Sequence, residues 1–149
     1  MNDLVAHDLN AVTTRGDVER LQDAMRGMPQ IELPTEHLFA DGMYSRVMSC
    51  PAGSLIVGKV HRREHFFILA KGSMRVTTDA GVQTVDSPAV FRASAGTKRA
   101  GLALTDCVCI NVHRTTSTDL DEIEEELIEP DDRALFDARN MLKEPLCLG

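Results

Sequence analysis

The spacing of apolar and polar residues along this chain changes period twice. Between Asp17 and Met28, the residues Val18, Leu21, Ala24, Met25 and Met28 recur at three- and four-residue spacing, which is one stripe of a helix. Thr13, Thr14 and Gly16 precede the stretch and Gly27 and Pro29 close it, so the pattern predicts a short amphipathic helix. From Ile31 onward the helical period gives way to short segments rich in Val, Ile, Thr and Phe, punctuated by glycines and prolines from Pro34 to Gly101. These segments predict strands at Tyr44–Cys50, Leu55–Val57, His65–Leu69, Met74–Thr78, Val82–Val85, Ala89–Arg92, Lys98–Leu104 and Val108–His113. Asp79-Ala80-Gly81 predicts a hairpin turn, its glycine free to take a positive φ. Short strands joined by tight turns, with no helical stretch between them, point to a closed or double-sheet β-architecture and away from βαβ units.

After His113 the helical period returns. Ser117-Thr118-Asp119 predicts the cap of a helix through Glu126–Ile128, with Leu120, Ile123 and Leu127 on one side. Pro130 opens a further amphipathic stretch in which Ala134, Leu135, Ala138, Met141 and Leu142 form a stripe that ends before Pro145. The organisation expected is a helical arm over 1–30, a β-barrel over 31–115, and acidic and amphipathic helices over 116–149. Apolar stripes flanking a compact β-core favour docking on a second copy, so a homo-oligomer assembled through the terminal helices is expected.

Composition narrows the function classes. At 149 residues, 43% hydrophobic and 26% charged, the chain has the make-up of one ordinary globular domain. No apolar run approaches the roughly 20 residues that span a bilayer, and the start, Met1-Asn2-Asp3-Leu4, lacks a basic region followed by an apolar one. The expectation is a chain that is neither secreted nor membrane-bound, cytoplasmic in a bacterial host or carried in a virion. The net charge of −7 is concentrated: residues 119–132 hold nine acids and no Lys or Arg, while the remaining 14 acids stand against all 16 Lys and Arg. With one tyrosine, no tryptophan and no basic stripe, the chain lacks the footprint of a nucleic-acid binder. The acidic run reads first as a solvated helix face. Cys50, Cys107, Cys109 and Cys147 have no C-x-x-C spacing and read as buried free thiols.

The candidate chemistry lies around His61-Arg62-Arg63-Glu64-His65. The spacing matches H-x-x-E-H, a zinc-protease signature that requires a helix, yet Ile56-Val57 and Phe66-Phe67-Ile68-Leu69 on either side are strand residues. On a strand, His61, Arg63, His65, Phe67 and Leu69 would share one face with period two. With Lys98 or Arg99 opposite, they would line a positive pocket suited to a carboxylate or phosphate. The plainer alternative places Arg63 and Arg99 at the mouth, paired with acids such as Glu64 or Asp106. His113, at the end of the last predicted strand, reads as a capping or interface residue, and His37 and His7 as loop residues.

Pro51-Ala52-Gly53 followed by Val60 through Val76, with Gly72 at a turn, resembles the first motif of the cupin superfamily, and Ser94-Ala95-Gly96-Thr97-Lys98-Arg99 loosely resembles the second. The resemblance implies an all-β cupin, or double-stranded β-helix (jelly-roll), barrel with the flanking N- and C-terminal α-helices already predicted. Metal-binding cupins draw three histidines and a glutamate from these motifs. Here His61 aligns with the first histidine, Arg63 replaces the second, His65 takes the glutamate position and Arg99 replaces the third. A guanidinium stays protonated and cannot coordinate, so no metal or other cofactor is expected, and His61 and His65 remain as a reduced ligand set for a divalent ion.

Further stretches, Glu36 to Tyr44, Gly58 to His61, Ala95 to Gly101, Val112 to Thr115 and Asp119 to Ile128, resemble small cupin-like proteins of tailed bacteriophages. That resemblance implies a non-enzymatic, oligomeric virion decoration or head-tail component in contact with other virion proteins, built on a degenerate barrel. The alternatives are a cupin that binds or isomerises an anionic metabolite, such as a nucleotide sugar, through His61, Arg63, His65 and Arg99, or a metal-binding cupin with fewer ligands.

Overall fold

The computed structural model describes residues 15–78, 80–132 and 134–143. In chain order the elements are α1 (Arg15–Met25), β1 (Thr35–Ala40), β2 (Met43–Cys50), β3 (Leu55–Val57), β4 (His65–Lys71), β5 (Ser73–Thr78), β6 (Gly81–Asp86), β7 (Ala89–Ala93), β8 (Ala100–Ala103), β9 (Cys107–Arg114) and α2 (Leu120–Leu127). Two antiparallel sheets result, one ordered β1-β2-β9-β4-β7 and the other β3-β8-β5-β6. Cys147, His7 and Asp79, and with them the centre of the expected 79–81 turn, lie outside the described residues; Gly81 itself has φ +104°.

Strand alternation builds the core. Cys50, Leu69, Met74, Ala103, Cys107 and Cys109 turn inward between the sheets and form the central cluster, with Leu69 fully buried. The expected free thiols Cys50, Cys107 and Cys109 are all here. Burial pushes the Cys107 thiol up, and a hydrogen bond with Cys50 together with burial pushes Cys109 up, so both stay protonated and unreactive. Gly72, at φ +89°, closes the β4–β5 turn where a Cβ would stand 2.3 Å from the Asp106 carbonyl oxygen.

Both helices dock on their own barrel. Val18 and Leu21 of α1 pack with Ala100 and Leu102 of β8, and Ile123 and Leu127 of α2 pack with Tyr44 of β2. Val18 and Leu21 of the first stripe and Ile123 and Leu127 of the second are thus buried within the chain. Several exposed apolar side chains sit on strands, among them Leu38, Phe66 and Val90, and others, Ile31, Leu104 and Met141, lie outside the strands and helices. Asp119 caps α2 as expected, its carboxylate accepting from the Asp121 and Glu122 amides. No helix among the described residues is long and apolar enough to cross a membrane.

Three local expectations are corrected. Thr35–Ala40, taken as loop, is an edge strand paired only with β2; its exposed residues do not alternate in polarity, which hides it from pattern reading. The stripe from Ala134 to Leu142 is not helical: Phe136 bridges Leu142, the Asp137 carboxylate accepts from the Arg139 and Met141 amides, and Asn140 takes φ +62°. An Asp bonding its own backbone competes directly with helix, and here it prevails. Finally, residues 61–69 do not run as one strand, because the ladder of β4 begins only at His65.

Candidate metal centre and cavity

The interruption before His65 decides which side chains reach the interior. The end of α2 and the residues after it hold the segment 60–63. The Arg62 amide donates to the Leu127 carbonyl at 2.7 Å, the Glu129 amide donates to the Val60 carbonyl at 2.9 Å, and His61 bridges Ile128. Arg63 consequently swings outward and pairs with Glu126 at 3.1 Å, the arginine exposed and the glutamate half-buried. His61 and His65 remain inward.

On the strand next to β4 in the same sheet, β2–β9 pairing sets Tyr44 opposite His113 and Arg46 opposite Asn111. His113 is therefore an interior residue of β9. Its ring lies 4.9 Å from that of His61 and 4.5 Å from that of His65, and the His61 and His65 rings are 4.0 Å apart. One potential ligand atom from each of the three lies within 4.8 Å of the others. The expectation of a capping or interface residue at His113 is corrected: it falls in neither motif, and its period-two alignment with Cys107, Cys109 and Asn111 is the signal in the sequence that points inward.

The imidazoles are neutral at ordinary pH. Burial, reinforced by the neighbouring His65 and His113, pushes His61 down to about 2; burial, with His65 and Arg46 nearby, pushes His113 down to about 3. Burial also lowers His65. Each ring thus keeps a lone pair, the state a metal ion requires. The Nδ1 atom of His61 is buried and has no hydrogen-bond partner. An orphaned acceptor or donor of this kind costs free energy unless something meets it. Three convergent, neutral imidazoles and an unmet ring nitrogen fit a divalent transition-metal ion, and an all-nitrogen set suits zinc, iron, nickel or copper.

His61 and His65 border a cavity of about 1010 Å³ between the sheets, and His113 stacks behind them against Tyr44, ring centroids 6.0 Å apart. Arg99 also lines this cavity. Arg63 and Lys98 do not; Lys98 is buried elsewhere, its Nζ 2.8 Å from Asp131 with the two side chains 2% and 13% exposed. Met48, Ile56, Phe67, Met74 and Val76 supply apolar walls, while Arg46, Lys59 and Asn111 add polar groups near the histidines. No aspartate or glutamate is among the described residues that line it.

No family model matches the sequence, and no curated protein matches it. Solved structures do match. KdgF from a Halomonas species is similar at 12% identity over 59% of this chain and 84% of that one, with a TM-score of 0.51. A cupin superfamily protein from Desulfitobacterium hafniense matches at 11% identity over 58% and 81% of the two chains, TM-score 0.49. The cupin domain of Cnp3 from Schizosaccharomyces pombe matches at 20% identity over 65% and 71%, TM-score 0.49. At these identities the likeness concerns architecture alone. Two antiparallel sheets facing each other across a cavity make this a double-stranded β-helix (jelly-roll) barrel with helices flanking its strands, the architecture it shares with KdgF.

Proposed function

We propose that the barrel binds a small molecule beside a divalent transition-metal ion held by His61, His65 and His113. The observation that carries this reading is the convergence of three neutral imidazoles at a cavity wall, one of them with a buried nitrogen that nothing in the chain meets. A bound ion would supply Lewis-acid polarisation of a ligand oxygen. The chain's own contributions are separate. The clamp from Leu127 to Glu129 fixes the His61 loop, β9 presents His113, Asn111 lines the same cavity as His65, and the apolar walls exclude water from a ligand's body.

The reading as a non-enzymatic virion component draws on the phage resemblance, on the loss of two ligand positions and on apolar helical stripes outside the barrel. A third histidine from β9 restores a ligand set, and both helices bury residues of their stripes on their own barrel, so the metal-binding reading has the stronger support. Elemental analysis of protein purified without an affinity tag tests it. One equivalent of zinc, iron, nickel or copper per chain is expected, falling to background in His113→Ala. Background metal in the unaltered protein, together with no heat on titrating these ions into it, would overturn the proposal.

A further inference from the structure

The cavity holds a cation that the histidine cluster does not explain. Arg46 projects from β2 into the wall of the cavity, opposite Asn111 on β9 and opposite His37 on β1. Its Nε is buried and makes no hydrogen bond, and no ion pair to it is found among the described residues. The nearby carboxylate that could neutralise it, Glu124, is bonded to Lys59. Arg46 is half-buried, but its Nε–H is buried and unmet, and an unmet buried N–H costs free energy that a ligand can offset.

The surroundings indicate what completes it. Although the chain carries a net charge of −7, the described lining of the cavity includes Arg46, Lys59, Arg92 and Arg99 and no acid. Below Arg46 the same wall becomes apolar: Met48 follows on β2 and Phe67 faces Asn111 across β9 and β4. A ligand that fits both conditions has one planar anionic head and a hydrocarbon body. Guanidinium and carboxylate match as forks, with two parallel N–H···O bonds. Burial lowers the pKa of the Arg46 guanidinium.

We propose that Arg46 is the specificity-determining residue of this cavity and binds the carboxylate of a small monocarboxylate whose apolar body lies against Met48 and Phe67. This deepens the small-molecule reading above and needs no metal. It concerns which ligand enters and how the ligand is oriented beside the histidines.

The test titrates acetate, butanoate, hexanoate and phenylacetate, and the corresponding amides, into full-length protein by calorimetry, in its as-purified form and after chelation. Affinity is expected to rise roughly threefold to fourfold per added methylene, as burial of hydrocarbon dictates, and the amides are expected to bind at least tenfold more weakly. Arg46→Met should weaken carboxylate binding roughly tenfold to hundredfold while raising the melting temperature of the unliganded protein. In the unaltered protein, the Arg46 Nε–H resonance should shift on adding phenylacetate, a readout that does not depend on any variant folding. Carboxylate binding that persists after chelation and needs Arg46 supports the inference even if the elemental analysis finds no metal. Binding abolished by chelation but unchanged in Arg46→Met, a stationary Nε–H resonance, or no preference for acids over amides would each overturn it, and the first of these would leave the metal reading intact.

Discussion

Three histidines within van der Waals reach of one another are tolerated only because none is charged. For His61 and His113 the folded-state pKa values of about 2 and about 3 lie below the ordinary imidazole value near 6.5. The unfolded chain therefore binds protons that the folded chain refuses, and stability, complete above pH of about 6.5, declines as pH falls toward these values. Urea unfolding of metal-free protein should show a lower midpoint at about pH 4.5 than at about pH 7.5, and replacing His113 with Gln should shrink that difference. Gly72 makes an independent prediction at the same scale. Alanine there would combine a positive φ with contacts of 2.3 Å to a backbone oxygen and 2.8 Å to Cys107 Sγ, so Gly72→Ala should lose more than about 2 kcal/mol in chemical denaturation.

Among the elements, α2 has the most consequence for the site. Its C-terminal end supplies the backbone partners that stop residues 61–64 from joining β4 and that hold His61 inward. Weakening α2 should therefore loosen the metal centre without touching a ligand. Asp119→Ala, which removes the cap, is expected to lower stability by roughly 0.5–2 kcal/mol and to weaken zinc binding measurably in calorimetry, whereas Arg63→Ala, which removes an exposed ion pair, should change stability by no more than about 1 kcal/mol. The buried pair of Lys98 and Asp131 fastens the segment after α2 to the barrel below it. Lys98→Ala removes the cation that sits 2.8 Å from the largely buried Asp131 carboxylate, and a loss of about 3–5 kcal/mol is expected in thermal or urea unfolding.

For the whole molecule, metal and fold should be linked. An ion that binds the folded histidine cluster and not the unfolded chain stabilises by mass action, so saturating zinc at about a hundred times its dissociation constant should add about 2.7 kcal/mol. Differential scanning calorimetry in the presence of zinc or of chelator checks this, and His61→Ala should abolish the difference. The same scale explains which features pattern reading could reach. β2 to β9 were legible because their interior residues alternate with outward ones over stretches such as Tyr44–Cys50 and Cys107–His113. β1 was not, since an edge strand with exposed residues on both faces carries no alternation. The stripe from Ala134 to Leu142 misled because side-chain bonds from Asp137 to the backbone act at a range that apolar spacing does not register.

By itself the sequence determined the β-architecture, the positions of α1 and α2 and the burial of Cys50, Cys107 and Cys109, and it singled out His61 and His65 as candidates. Each of these follows from interactions within a few residues: strand alternation, helical spacing, caps and turn glycines. Only the tertiary structure decided that Arg63 leaves the interior while His113 and Arg46 enter it. Those placements depend on which strands become neighbours and on where α2 grips the loop before β4. These are contacts between residues 50 or more positions apart, which local physical chemistry along the chain cannot encode.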